Sequence, residues 1–271
     1  MNVNIENVDF RYKGSSKEVL NHLSINLTEN KIYGLLGKNG VGKSTLLNIV
    51  AGLLKPNNGK VMVDGEESWK RSPALLQKIF LVTEDFSLPN VTLANYVKMN
   101  APFYPDFSQS MLNDCLREFE LPQELKLGEL SMGQKKKVLM SFALATQTKI
   151  LLMDEPTNGL DIPSKAQFRR TISRCMNEDR IIVISTHQVH DIEQLLDHVV
   201  ILSQKGVLFD MSTEDISRQY VFEYRSPQDM GDVIYAEPSL QGNAVMAPRG
   251  ERGETQINLE LLFNSVTSIR E

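Results

Sequence analysis

Cysteine is nearly missing from this chain: 271 residues hold two, Cys115 and Cys175, too few for a disulfide framework and without the spacing of a metal site. Both read as small buried hydrophobes of a protein kept in a reducing compartment. Long apolar runs are missing too, since none reaches the roughly 18 residues that span a bilayer. The opening MNVNIENVDF has neither the basic segment nor the apolar core of a leader peptide. The expectation is a cytoplasmic chain that reaches a membrane only as a peripheral protein held by another. Positive charge is not in excess either: 29 Lys plus Arg against 34 Asp plus Glu give a formal net charge of -5, which argues against a broad basic face for nucleic acid. The imbalance sits at one end, because residues 211–271 hold five Arg, no Lys and ten Asp plus Glu. An acidic tail does not suit anionic lipid or nucleic acid. Internal repeats and low-complexity tracts are absent. What remains, 41% hydrophobic and 23% charged residues, excludes a disordered or fibrous chain and is enough for a sizeable core.

The apolar pattern alternates between two periods. Val3, Ile5 and Val8, then Leu23, Ile25 and Leu27, then Ile32 to Leu36 predict a small sheet leading into a central strand. The run TLLNIVAGLL after Ser44 has helical spacing and is closed by Pro56 and an Asn57-Asn58-Gly59 turn. Lys60 to Asp64 and Ile79 to Thr83 predict further strands. Met111, Leu112, Cys115, Leu116 and Phe119 recur at helical spacing behind a capping Ser108, so the segment of about 85–135 reads as a helical insertion. Lys149 to Asp154 and Arg180 to Ser185, on either side of a helix around Ser164 to Met176, are continuous apolar strands. Such strands predict a parallel sheet covered on both faces. Beyond Asp210 the text becomes turns between short strands, with a closing amphipathic helix in INLELLFNSV.

Two motifs carry chemistry by themselves. Gly37-Lys38-Asn39-Gly40-Val41-Gly42-Lys43-Ser44 matches G-x-x-x-x-G-K-[ST] between a strand and a helix. Its glycines let backbone N–H groups turn toward phosphate oxygens, Lys43 reaches the β and γ phosphates, and Ser44 offers a hydroxyl to Mg²⁺. The helix behind it aims its positive end at the same anion. Further on, Ile150-Leu151-Leu152-Met153-Asp154-Glu155 is an apolar strand ending in two acids. Asp154 is the expected metal ligand and Glu155 the group that polarises an attacking water.

Between them stands Leu130-Ser131-Met132-Gly133-Gln134, and here the chain resembles the ATP-binding cassette family, whose signature is Leu-Ser-Gly-Gly-Gln. Met132 replaces the first glycine. Over about residues 1–205 other stations match in order. Tyr12 sits where the family stacks an aromatic on adenine, Asn158-Gly159-Leu160-Asp161 where it places a dimer-contacting loop, and His187 where a histidine contacts the γ-phosphate. The family's usual glutamine near metal and water aligns with Glu84, which resembles the drug-export-like branch. The resemblance implies Glu155, His187 and Glu84 as catalytic residues, and Ser44, Asp154 and Glu84 around the metal. It implies nucleotide contacts from Tyr12, Gly37, Lys38, Asn39, Gly40, Val41, Gly42, Lys43, Ser44, Thr45, Ser131, Gly133, Gln134 and Asp161. The cofactors implied are ATP and Mg²⁺.

The expected fold is α/β: a P-loop NTPase core with a mostly parallel sheet, an N-terminal antiparallel β subdomain and the helical insertion, over residues 1–210, followed by an acidic extension, 211–271. The expected function is an ATP-hydrolysing subunit that powers a separately encoded integral membrane transporter, an exporter, by head-to-tail closure with a copy of itself. A soluble ATPase switch of the same family is the alternative. Phe86, Leu88, Phe103 and Tyr104 are expected to present an apolar surface to the membrane subunit, and Lys135 to Lys137 to be a solvated helix start, with Lys137 as an internal ion-pair donor.

Overall fold

The computed structural model describes residues 1–270. In chain order its elements are β1 (Asn2–Phe10), β2 (Leu20–Thr28), β3 (Lys31–Leu36), α1 (Lys43–Val50), β4 (Asn58–Val63), β5 (Glu66–Glu67), α2 (Pro73–Leu76) and β6 (Ile79–Val82). The middle holds α3 (Leu93–Asn100), α4 (Gln109–Glu118), α5 (Met132–Ala145), β7 (Ile150–Asp154), α6 (Ile162–Cys175) and β8 (Ile181–Thr186). The chain ends with β9 (His198–Ser203), β10 (Gly206–Ser212), α7 (Thr213–Gln219), β11 (Tyr220–Arg225), β12 (Tyr235–Ser239), β13 (Gly242–Pro248) and α8 (Leu259–Arg270).

The central sheet has the order β10-β9-β3-β8-β7-β6, parallel from β9 to β6, with β10 returning antiparallel at the edge. Its middle strands are buried on both faces, and alternation sorts their side chains. Tyr33, Leu35, Ile150, Leu152, Ile181 and Val183 join a core with α1 and the antiparallel sheet β2-β1-β4-β5. Ile32, Leu36, Leu151, Met153, Ile182 and Ile184 join the opposite core with α4, α5 and α6. Leu259, Leu261, Leu262 and Val266 of α8 enter that second core beside Ile192 and Leu195. A three-stranded antiparallel sheet, β11-β13-β12, lies under the same helix. Among the described residues no helix is long and apolar enough to cross a membrane.

The helical stretch after β6 is held through α5. The Phe142 ring packs against Phe80, Tyr96, Tyr104 and Phe107. Three of the four apolar residues expected at the surface are only partly exposed: Tyr104 is half-buried, its ring 5.5 Å from that of Phe80. Phe86 and Leu88 are partly buried against the core as well. Phe103 is the most exposed of the four, at 66%. Cys115 and Cys175 are buried free thiols, their Sγ atoms 3.9 Å apart where α4 meets α6.

Helix starts explain much of the local structure. Ser72, Thr92, Ser108, Ser131, Asp161 and Ser212 each accept a hydrogen bond from a backbone N–H in the first turn of the helix they precede, satisfying donors the helix itself leaves open. Asn258 does the same for α8, accepting from the Leu261 N–H at 2.9 Å. Helix α1 differs: its N-cap is Gly42 in the left-handed region, and no side chain caps it.

Candidate active site

The uncapped end of α1 follows directly from the glycine loop after β3. Gly42 has φ of 104°, and a Cβ there would lie 2.7 Å from Leu20 Cδ2 and 3.0 Å from the Val19 carbonyl, so only glycine fits without displacement. At Gly37 a Cβ would meet Val41 Cγ2 at 2.7 Å and the Leu202 carbonyl at 2.9 Å. The loop is thus pressed against β9 and β2 on one side, and Asn39, Gly40 and Gly42 line a cleft on the other. Lys43 is 6% exposed. Its Nζ donates to the Gly37 carbonyl at 2.7 Å and the Lys38 carbonyl at 3.4 Å and stands 3.7 Å from Glu155 Oε1. Burial lowers the Lys43 pKa below the ordinary lysine value, and Glu155 and then Asp154 work against that shift. A partly desolvated cation at the start of a helix that no side chain caps is suited to an incoming polyphosphate.

Parallel strands β7 and β8 bring the acids to the same edge, the carboxyl end of the sheet where ligands of open α/β sheets sit. Asp154 and Glu155 are both buried. The Ser185 hydroxyl donates to Asp154 Oδ1. Glu155 Oε2 accepts from the Thr186 hydroxyl at 3.0 Å and the His187 N–H at 3.4 Å, and Glu155 Oε1 lies 2.9 Å from His187 Nδ1. A carboxylate only accepts, so Nδ1 carries the proton in that pair and Nε2 is left for another partner. Glu155 has φ of 45°, a left-handed conformation that costs a non-glycine residue energy unless its surroundings hold it. Asn158 donates from Nδ2 to Glu84 Oε1 at 2.7 Å, tying the loop after β6 to the turn after β7.

These groups line one open cleft of about 530 Å³: Tyr12, Val19, Asn39, Gly40, Gly42, Lys43, Ser44, Thr45, Glu84, Glu155, Asn158 and His187. The Tyr12 hydroxyl is 3.0 Å from Thr45 Oγ1 and its ring meets Phe10 edge-on at 4.9 Å, which leaves a ring face for a base. Gly37, Lys38 and Val41 belong to the loop without lining the cleft, and the Val41 side chain packs into the core. Ser44, Glu84 and Asp154 offer oxygen only, and among the described residues no cluster of three His, Cys, Asp or Glu forms an all-protein cage. That combination fits Mg²⁺ held by one or two side chains together with phosphate oxygens and water.

Asp154, buried next to Glu155 in the chain, does not line this cleft either, and Ser131, Gly133, Gln134 and Asp161 lie away from it at the starts of α5 and α6. Ser131 and Gln134 bond reciprocally in a capping box, Gln134 N–H to Ser131 Oγ at 3.3 Å and Ser131 N–H to Gln134 Oε1 at 3.0 Å. Gly133 stands in the first turn behind an exposed Met132, and Asp161 caps α6 through the Ser164 N–H at 2.9 Å. Those bonds from Ser164 hold the Asp161 carboxyl below its usual pKa. Sequence reasoning missed Thr186, whose hydroxyl aligns Glu155, though its place beside His187 at a strand end could have marked it. Lys136 requires a correction: it is not part of a solvated helix start, since it is 7% exposed and donates to the main-chain carbonyls of Glu155 at 3.1 Å and Asn158 at 2.8 Å. Lys137, expected in an ion pair, reaches the neutral Gln167 Oε1 at 3.2 Å.

A parallel sheet with a glycine loop, an uncapped helix and two acids at one edge defines a P-loop nucleoside triphosphatase. The ABC transporter family matches residues 20–158, and the chain is 31% identical over 241 residues to the bacitracin transport ATP-binding protein BcrA of Bacillus licheniformis, covering 86% of this chain and 79% of that one. It therefore belongs to the ABC transporter family, as an ATP-binding subunit that hydrolyses ATP. The lantibiotic transport ATP-binding protein SrtF of Streptococcus pyogenes is 28% identical over 82% of this chain and 98% of its own. Among solved structures, the ATP-binding cassette MJ0796, a dimer in a post-hydrolysis state bound to ADP and Pi, superposes with a TM-score of 0.68 at 26% identity, over 78% of this chain and 98% of that one.

Proposed function

We propose that this chain powers a separately encoded membrane-spanning exporter, and that two copies close head to tail around two ATP molecules on the cytoplasmic face of the membrane. The observation that carries the proposal is the position of the Ser131-Met132-Gly133 turn. It lies outside its own cleft, with Met132 61% exposed, so its helix start is free to complete the site of a second copy. Residues 1–210 form the nucleotide-binding unit, about 85–135 its helical insertion, and 211–271 an acidic extension. Support for export comes from relatives named for bacitracin and lantibiotic transport.

In this reading Tyr12 stacks on adenine. The N–H groups of the Gly37 to Thr45 loop and the Lys43 ammonium hold the phosphates, with no reorganisation needed because both are fixed before ATP arrives. Ser44 and Asp154, with Glu84 beside them, hold Mg²⁺, which supplies charge neutralisation at the phosphates when bound. Glu155 takes the proton of the attacking water, aligned for it by Thr186 and His187, and His187, when protonated on both ring nitrogens, donates from Nε2 to the γ-phosphate. Ser131, Gly133, Gln134 and Asp161 of the second copy close the site, and their parting after hydrolysis is the motion passed to the membrane subunit.

The test is purification of the tagged chain from detergent-solubilised membranes of its own host. A stoichiometric companion with several spanning helices is expected. Recovery only from the soluble fraction, as a lone dimer or with soluble partners, would establish the soluble-switch reading instead.

A further inference from the structure

A buried lysine must recover its lost hydration from the protein. The Lys136 ammonium does so through two carbonyls of one turn, those of Glu155 and Asn158, and the turn is closed by the Asn158 N–H bonding to the Glu155 carbonyl at 3.2 Å. At one end of this turn Glu155 sits in its left-handed conformation. At the other, the Asn158 side chain holds Glu84. One cation thus grips, through a single turn, both the residue that faces the water and the acid across the cleft from it. The local charge makes the grip more than mechanical. Glu84, Glu155 and Asp154 gather here against Lys43, and ATP adds further negative charge to the same place.

We propose that Lys136 is a positioning residue of the hydrolytic site: from beneath, its ammonium holds the Glu155–Asn158 turn and offsets the negative charge that Glu84 brings to it. The charges bear on it in that order. Burial lowers the Lys136 pKa, and among the acids that counter this Glu84 comes first, followed by Glu155, Asp154 and Asp85. Lys136 lies five residues past Ser131, on the helix whose start is left for the second copy. A shift of α5 on dimer closure would move this contact with the Glu155 carbonyl.

The inference rests on the role given to Glu155, and the experiment separates the two. Phosphate release is measured over a range of ATP for four proteins: the unaltered chain, Lys136→Gln, Glu84→Gln and the double variant. Glutamine keeps a donor for the carbonyls and removes the charge. Lys136→Gln is expected to lower kcat about tenfold with KM within about twofold, because the lost interaction acts on the chemical step. Glu84→Gln is expected to be at least about threefold more favourable to kcat in the Lys136→Gln background than alone, a coupling that opposite charges joined through the Asn158 turn produce and a purely structural lysine does not. Lys136→Arg, which keeps the charge, should leave the Glu84→Gln effect as it is in the unaltered chain. If Lys136→Gln melts early, the whole cycle is measured at a lower temperature where circular dichroism shows all of the proteins folded. An equal Glu84→Gln effect in both backgrounds overturns the proposal, as does a Lys136→Gln loss confined to KM. Full turnover in Glu155→Gln overturns the underlying role of Glu155 instead.

Discussion

Replacing Glu155 by glutamine isolates proton acceptance from everything else the residue does. The amide oxygen can occupy the Oε2 position and keep accepting from the Thr186 hydroxyl and the His187 N–H, now 3.0 and 3.4 Å away. The amide NH₂ then stands at the Oε1 position, 2.9 Å from His187 Nδ1, and a neutral imidazole accepts that bond by carrying its proton on Nε2 instead. What is lost structurally is the attraction to Lys43 at 3.7 Å. That pair is buried and lies next to an anion site, so ATP phosphates replace the missing charge once nucleotide binds. Stability is therefore expected to fall by no more than about 1–2 kcal/mol, and ATP affinity to stay within about threefold. Turnover behaves differently, because an amide cannot take the water's proton. General-base loss costs about 10²- to 10⁴-fold, or about 3–5 kcal/mol of barrier at 1.36 kcal/mol per tenfold. The assays are phosphate release under saturating ATP and titration with a fluorescent ATP analogue on the same preparation. Turnover within about threefold of the unaltered chain, with binding intact, would falsify the assignment of Glu155 as the base.

Other perturbations separate neighbouring roles. Lys43→Ala removes a charged donor from the phosphates and is expected to weaken ATP binding about 10- to 100-fold, the effect of one charge-assisted hydrogen bond, read by the same titration; unchanged affinity would remove Lys43 from the phosphate cradle. Phe103→Ala should leave urea stability within about 0.5 kcal/mol while lowering transport-coupled ATPase activity in the complete assembly. Tyr104→Ala should cost about 2 kcal/mol, because its ring packs against Phe80 and Phe142, and equal urea midpoints for the two variants would contradict this division. Asp232, paired with Arg225 and Arg252, has its pKa lowered from 3.8 to about 2 by those two arginines. A depressed carboxyl contributes its stabilisation fully above the unfolded value and loses it as pH falls through about 2. Thermal melts between pH 5 and about 2 should thus decline more steeply in the natural chain than in Asp232→Asn, and parallel curves would count against the pairing.

The sequence by itself determined whatever depends on residues close together in the chain. The phosphate loop needs its glycines, lysine and serine contiguous, so its chemistry is spelled in one word, and the caps at Ser108 and Ser131 are local for the same reason. Continuous apolar strands at Lys149 to Asp154 and Arg180 to Ser185 announced a parallel sheet covered on both sides, and the acids at the end of the first are legible because a strand end points its next residues at the site. Tertiary structure alone decided the fate of side chains whose partners lie far off in sequence. Lys136 stands in a run of three lysines, and its hydrophilic neighbours gave no sign that the turn after β7 would close over it. Tyr104 and Phe103 are adjacent and chemically alike, yet one is drawn under Phe142 and the other stays in solvent, because only the path of the chain between α3 and α4 sets which ring faces inward. Burial and charge balance are sums over distant neighbours, and those sums exist only once the sheet has brought β6, β7 and β8 side by side.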